Sequence, residues 1–176
     1  MKITRDTSIA ELGAYICQTL KDQGMDAFLS GGSVVSIYTA NKFESFDLDF
    51  VTLADRKQIK VVMEGLGYNQ SRSRLFEHPE TQYLVEFPGS SMTIGDERID
   101  KFSELKVGKY TLKLLTPTDC IKDRLAAYIH WKDRQSLAQA ALVAHDQKHD
   151  LKSIETFCKN EGAPKAYQDF LAAMEE

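Results

Sequence analysis

The apolar run Ala27-Phe28-Leu29 ends at Ser30-Gly31-Gly32-Ser33, after which Val34, Val35, Ile37 and Tyr38 continue in helical spacing. A short apolar stretch closed by paired glycines and followed by helical periodicity reads as strand, tight turn, helix. Downstream, Ser45-Phe46-Asp47-Leu48-Asp49-Phe50-Val51 alternates. A strand's period of two sends Phe46, Leu48 and Phe50 to one face and both carboxylates, Asp47 and Asp49, to the other. Such a chain must bury one side of a sheet and leave an acidic strand face near a glycine turn, which restricts it to mixed helix and sheet architectures.

The flanking segments extend that sheet. Thr7 or Ser8 caps a helix running to about Gly24: Glu11 completes a capping box with Ser8, and Ile9, Leu12, Ile16 and Leu20 form the apolar stripe. A helix is expected over 54–66, closed by Gly67; strands over 68–76 and 82–87 with a turn at His78-Pro79-Glu80; and a last hairpin, 98–105 with 107–115, around Gly108. From Thr116 the pattern turns helical, with Thr116 as cap and Pro117 at the first helical position, and helices are expected over 117–130, 133–147, 151–160 and 163–174. The expected fold class is therefore α/β (α+β): a mixed-sheet core over residues 1–115 and an all-helical C-terminal subdomain over 116–176.

A chain of 176 residues, 43% hydrophobic and 27% charged, suits one well-buried domain with a helical appendage. Its net charge of −4 means that no average field draws it to nucleic acid or an anionic membrane; only a local basic patch would. The charged N-terminus and the lack of any long uncharged apolar run imply a cytoplasmic protein without a membrane segment. Cys17, Cys120 and Cys158 are odd in number, far apart and in helical stretches, so they read as buried apolar residues. His145 and His149 have the spacing of a shared metal site, but Asp146, Lys148 and Asp150 around them favour a solvated helix end.

The chemistry concentrates in three places. A Gly31-Gly32-Ser33 turn opening a helix offers backbone N–H groups and positive dipole potential to a phosphate. Asp47 and Asp49, on one strand face, are hard oxygen ligands spaced to grip one or two Mg²⁺ ions. Should Glu86 of Leu84-Val85-Glu86-Phe87 lie on a neighbouring strand facing the same way, it adds the third carboxylate of a two-metal phosphoryl-transfer site. Further along, Lys122 and Arg124 with Tyr128 and Trp131 suit phosphates and a base, although surface ion pairing of the cations and core packing of the aromatics are the plainer readings. Arg72 and Arg74, alternating with Ser71 and Ser73, would share a strand face as an anion-binding strip or a solvated edge.

Together these residues resemble the nucleotidyltransferase superfamily of the DNA polymerase β type. Its pattern of hydrophobic-Gly-Gly/Ser, then hydrophobic-Asp-hydrophobic-Asp/Glu, then a later acidic strand position is similar to Leu29-Ser30-Gly31-Gly32-Ser33, Phe46-Asp47-Leu48-Asp49-Phe50 and Leu84-Val85-Glu86-Phe87. The likeness covers 7–115 in order of elements and is most specific over 28–50. More loosely, Leu115-Thr116-Pro117-Thr118-Asp119, Lys122-Asp123-Arg124-Leu125, Asp133 and Leu137 resemble the helical part of minimal bacterial nucleotidyltransferases, including the abortive-infection and MenT-like toxin branch.

The resemblance implies a nucleoside triphosphate held by the glycine turn and Mg²⁺ (or Mn²⁺), a hydroxyl attacking its α-phosphate, and release of pyrophosphate. Asp47 and Asp49 would hold the metals, Glu86 would hold the catalytic metal and help deprotonate the hydroxyl, and Ser33 would bond a phosphate oxygen. Lys122 would neutralise the triphosphate, with Arg124 beside it, and Asp133 would complete the site. The chain departs from the family in the two strands inserted before Glu86, so that Arg72 or Arg74 would have to supply the usual basic residue. An RNA end such as the tRNA 3′ terminus or a protein hydroxyl is the leading acceptor under this resemblance, with a small molecule such as an aminoglycoside behind them and a cognate toxin or antitoxin as partner. The rival is a non-catalytic nucleotide-binding or regulatory (antitoxin) module, against which three converging, mutually repelling carboxylates count. A kinase-like or hydrolytic reaction at the same metals is the other alternative.

Overall fold

The computed structural model describes residues 1–72, 74–89 and 91–175. Helix α1 (Ile9–Asp22) starts with the capping box intact: the Ser8 hydroxyl accepts the Glu11 N–H at 3.3 Å and Glu11 Oε2 accepts the Ser8 N–H at 2.9 Å. Its stripe of Ile9, Leu12, Ile16 and Leu20 is buried. Strand β1 (Ala27–Ser30) runs directly into α2 (Gly31–Tyr38), and β2 (Asp47–Thr52) follows. Next come α3 (Arg56–Gly65), β3 (Asn69–Arg72), β4 (Leu75–Glu77), β5 (Leu84–Glu86), β6 (Thr93–Ile94), β7 (Glu97–Arg98), β8 (Phe102–Val107) and β9 (Tyr110–Leu115).

Among the described residues seven strands form one mixed sheet in the order β3-β4-β5-β2-β1-β9-β8, while β6 and β7 make a separate two-stranded ribbon. β1 is antiparallel to β2 and parallel to β9, and β2 is parallel to β5. Leu29 opposes Phe50 and Leu114, and Leu48 opposes Val85, so these side chains share one sheet face. All are buried, and Gly13 of α1 sits directly over Leu48 and Leu112. The other face carries Ser30, Asp49 and Glu86.

The chain closes with α4 (Pro117–Trp131), α5 (Arg134–Asp146), α6 (Leu151–Asn160) and α7 (Pro164–Ala173). Thr116 caps α4 by accepting the Asp119 N–H at 3.1 Å, with Pro117 in the first turn where its missing N–H costs nothing. The apolar core is continuous from α1 and the sheet through Ile121 and Leu125 of α4 to Phe157 of α6 and Phe170 of α7, and α2 packs against α4 and α5. The three cysteines are free and buried within it. No helix among the described residues is long and apolar enough to cross a membrane.

Four sequence expectations are revised. The strand expected over 68–76 is two strands, with Arg72 paired to Leu75 across a tight reversal; Ser73 lies outside the described residues. Asn69 to Arg72 is polar and exposed and has nothing to bury, whereas folding back sets Phe76 against Val85. The strand expected from 98 begins at Phe102, because Arg98 belongs to the β6–β7 ribbon. Phe46 does not join the buried face: it precedes β2, is 46% exposed and stacks on Tyr83. Trp131, expected in the core, is 82% exposed at the end of α4, and Tyr128 is half-buried with its hydroxyl donating to Asp169 at 2.8 Å.

Candidate active site

Register assembles the acidic cluster. Asp49 lies opposite Ser30 of β1 on one side and opposite Glu86 of β5 on the other. Directly opposed residues project to the same face about 5 Å apart, and Asp47, two positions along β2, joins them there. Asp47 is exposed, while Asp49 and Glu86 are half-buried. Burial, then the charges of Glu86 and Asp47, push the Asp49 carboxyl up from 3.8 to about 6; Arg124 pulls it back and Asp123 adds to the rise. A hard-oxygen donor set whose members penalise one another's charge is chemically suited to a divalent cation, which relieves that penalty. Among the described residues no group of three or more His, Cys, Asp or Glu side chains is placed to hold a metal ion, so Asp47, Asp49 and Glu86 would have to draw closer to share one.

The glycine turn belongs to the same assembly. Gly31, the first residue of α2, has φ +71°, and a Cβ there would collide with the Asp49 carboxylate. Only glycine lets the acidic strand lie against the start of the helix. Gly32 is half-buried beside Ser45 and Phe43. The loop bearing those residues is tied to α2 by Ser36, whose hydroxyl donates to the Phe43 carbonyl at 2.8 Å and accepts the Ser45 N–H at 2.7 Å. Ser33 is fully buried, with its hydroxyl donating to the Ser30 carbonyl at 3.0 Å, so as placed it closes the turn rather than meeting a phosphate. Ser30 and Gly32 are the turn residues that retain exposure.

The basic residues divide. Arg124 of α4 is close enough to Asp49 for each to favour the other's charge; burial weakens its cation, but the charge and hydrogen bonds of Asp123, with Cys120 and Asp49 behind them, outweigh this together and its pKa is raised. It donates twice to Asp123 Oδ2, at 2.6 and 3.1 Å, and once to Gln139 at 3.3 Å. Asp123, which the sequence pattern gave no reason to single out, thus enters the site as the counter-ion of Arg124. Lys122 does not face the same way, since two residues on a helix are about 200° apart. It is buried between Glu97 of β7 and Asp119, with its ammonium over the Phe157 ring. Asp133 caps α5, accepting from Gln135 N–H at 3.0 Å and Ser136 hydroxyl at 2.6 Å, and the Ser136 bond leads the causes that hold its carboxyl below the ordinary range.

Arg72 and Arg74 do not form a strip on one strand. Arg72 sits on edge strand β3, opposite Leu75, which is opposite Glu86. That places it on the carboxylate face, about 10 Å from Glu86 at two strand spacings. Arg74 lies in the reversal and donates to the Pro88 carbonyl at 2.5 Å. His145 is exposed at the end of α5, and His149 Nδ1 lies 3.0 Å from the Gln147 carbonyl oxygen.

No protein-family model and no curated protein sequence matches the chain. Solved structures do. An antigenic nucleotidyltransferase-like protein from Paracoccidioides brasiliensis matches over 98% of this chain and 94% of its own, with TM-score 0.63 and 14% identity. The antibiotic-resistance factor ANT(2″)-Ia, solved in solution, matches over 91% of each chain, with TM-score 0.53 and 14% identity. The crystal structure of ANT(2″)-Ia in complex with adenylyl-2″-tobramycin matches over 95% of this chain and 97% of that one, with TM-score 0.50 and 12% identity. At such identities the likeness is one of architecture, and it agrees with the mixed sheet, the glycine turn and the acidic strands: the chain has the nucleotidyltransferase fold.

Proposed function

We propose that this protein transfers a nucleotidyl group from a nucleoside triphosphate to a hydroxyl of a small, positively charged acceptor, with Asp47, Asp49 and Glu86 holding Mg²⁺ or Mn²⁺. The observation that carries this reading is the register setting Asp49 opposite Glu86 on one sheet face, beside a helix start that only glycine permits. A divalent ion bound there would offset the carboxylates' repulsion and withdraw charge from the phosphates.

The chain's own groups do the rest. The first N–H groups of α2, Gly32 foremost, present donors and the positive end of the helix dipole to a phosphate. Arg124, held beside Asp49 by Asp123, can give one of its hydrogen bonds to a phosphate oxygen without moving its charge. Glu86 accepts the proton of the attacking hydroxyl. The new oxygen–phosphorus bond forms as the bond to pyrophosphate breaks, and pyrophosphate leaves.

The acceptor class follows from charge. Asp47, Asp49, Glu86 and Asp123 crowd one end of the sheet, while Arg124 and Lys122 are each paired with carboxylates of this chain. Few cations remain there for an RNA backbone, which normally needs one for each phosphate contacted. An acidic rim instead favours a cation, and the fold neighbour solved in complex with adenylyl-2″-tobramycin is an instance of a small molecule bound on this architecture. An RNA end, a protein hydroxyl or a toxin–antitoxin partnership rests on the looser resemblance of residues 115–137 alone.

The test supplies each of the four α-³²P-labelled nucleoside triphosphates, Mg²⁺ or Mn²⁺, and cell extract separated into small-molecule, RNA and protein fractions. The expected result is pyrophosphate release with label in the cationic small-molecule fraction, abolished by Asp47→Ala. Label in RNA or protein would overturn the acceptor class. Binding of the metal–nucleotide without turnover would favour the non-catalytic module, and release of a nucleoside diphosphate would replace nucleotidyl with phosphoryl transfer.

A further inference from the structure

We propose that β8 is a self-pairing edge, through which two copies of this chain join antiparallel about a two-fold axis at Leu105. The sheet ends in β3 on one side and β8 on the other, and the two edges differ. β3 has four residues and a break in register between Gln70 and Arg72, the kind of irregularity that blunts an edge. β8 has six residues in unbroken register with β9, from Phe102 opposite Leu115 to Val107 opposite Tyr110. Nothing in its length or regularity discourages another strand.

The hydrogen-bond parity of the edge can be read from the hairpin. Val107 and Tyr110 flank the two-residue loop Gly108-Lys109, and in such hairpins the flanking pair exchanges both of its hydrogen bonds. Alternation then turns the main-chain groups of Ser103, Leu105 and Val107 toward β9, and those of Phe102, Glu104 and Lys106 outward. Lys113 confirms the parity: opposite Glu104, it sends its N–H away from β8, to Cys17 Sγ at 3.5 Å.

A second copy laid antiparallel with Leu105 opposite Leu105 satisfies that parity. Glu104 of each copy then opposes Lys106 of the other in a hydrogen-bonded pair, giving two symmetry-related opposite-charge pairs on the same sheet face. All three residues are exposed, Leu105 at 38%. Lys106 Nζ, which donates to Thr111 Oγ1 at 2.7 Å, lies on the face where the partner's Glu104 would arrive. Lys101 and Lys109, which the same register would set against each other, fall outside the strand where the chain leaves the edge. A lone lysine ordinarily protects an edge; an acid two residues away makes this edge complementary to itself and to a copy in one register.

Light scattering and sedimentation velocity on the full chain, over a dilution series, test this. Wild type is expected to be a concentration-dependent dimer. Lys106→Glu alone and Glu104→Lys alone convert both cross-strand pairs to like charges, and each is expected to weaken dimerisation about tenfold. Mixing the two single variants is expected to give a heterodimer, and the double variant Glu104→Lys/Lys106→Glu to restore the homodimer. Lys106→Pro, which removes an outward N–H without touching the β9 ladder, is expected to give a monomer with the circular dichroism of wild type and a Tm that no longer depends on concentration. A monomeric wild type, a dimer indifferent to single reversals, or reversals that the double variant fails to rescue would each overturn the proposal.

Discussion

Replacing Asp49 by asparagine removes the one carboxylate whose charge the fold penalises most clearly, and the consequence can be worked out with its sign. Asp49 lies between Ser30 and Glu86 with Asp47 on the same face, and its carboxyl is displaced from 3.8 to about 6. At 1.36 kcal/mol for each tenfold shift in proton affinity, holding that charge costs the metal-free folded state about 3 kcal/mol above pH 7. Allowing for the amide's own cost of partial burial, Asp49→Asn should be more stable than wild type by about 2 kcal/mol at pH 8.

The pH dependence follows by linkage. Between about pH 4 and 6 the native state holds a proton on Asp49 that the unfolded chain has released, so wild type gains stability as pH falls through 6 and the gain is complete below 4. The advantage of the variant should therefore shrink over that interval and reverse to a deficit of about 1 kcal/mol below pH 4, the amide's own burial cost. Urea unfolding of both proteins in chelator from pH 4 to 8 reads the difference directly. Repeated with millimolar Mg²⁺ or Mn²⁺, it should show wild type recovering most of the deficit while the variant changes little. A difference that stays flat with pH, or a variant less stable than wild type at pH 8, would refute the electrostatic account of the site.

Three further outcomes follow from other contacts. Gly31→Ala places a side chain at φ +71° and against the Asp49 carboxylate, so it should cost about 2 kcal/mol or more by denaturant unfolding and weaken metal binding. Arg124→Met should raise the KM for the nucleoside triphosphate about tenfold, whereas Lys122→Met, whose ammonium is taken up by Glu97 and Asp119, should leave it within about twofold in the same assay. Ser8→Ala removes the capping hydroxyl of α1 far from the carboxylates and should cost about 1 kcal/mol of stability without altering turnover.

The parts of this fold visible in the sequence are those that local chemistry dictates. The Ser8–Glu11 capping box, the Thr116-Pro117 helix start and the strand–glycine–helix passage at 27–38 each involve residues within one or two turns of each other. The Asp47–Asp49 alternation is of the same kind, a two-residue period that needs no partner to be read. Glu86 is different: its strand is only three residues long, and its place opposite Asp49 comes from a parallel pairing between segments far apart in sequence. The residues raise that placement only as a condition, and the family resemblance adds a later acidic strand position without fixing its partner.

Non-local packing decides the elements that differ from the sequence expectations. The split of 68–76 depends on Phe76 finding Val85, and the β6–β7 ribbon has strands of two residues, too short for any periodicity to show. Core packing is the plainer expectation for Trp131, yet α4 ends there, and Lys132 in left-handed conformation turns the chain into α5. Asp123 could not be told from an ordinary surface acid, since its significance lies in pairing with Arg124 next to a strand encoded more than seventy positions earlier. The opposite placement of Lys122 and Arg124 follows from helical geometry alone, residues two positions apart standing about 200° from each other.

The proposed activity requires Asp49 and Glu86 to act together on one cation beside the helix start. Electron paramagnetic resonance titration of Mn²⁺, in the presence of a non-hydrolysable nucleoside triphosphate, measures that directly for wild type, Asp49→Asn and Glu86→Gln. Saturable binding by wild type, weakened about tenfold or more in both variants while their circular dichroism is unchanged, is the predicted result. Equal affinity in wild type and Glu86→Gln would contradict it, because the two strands would then not share a metal.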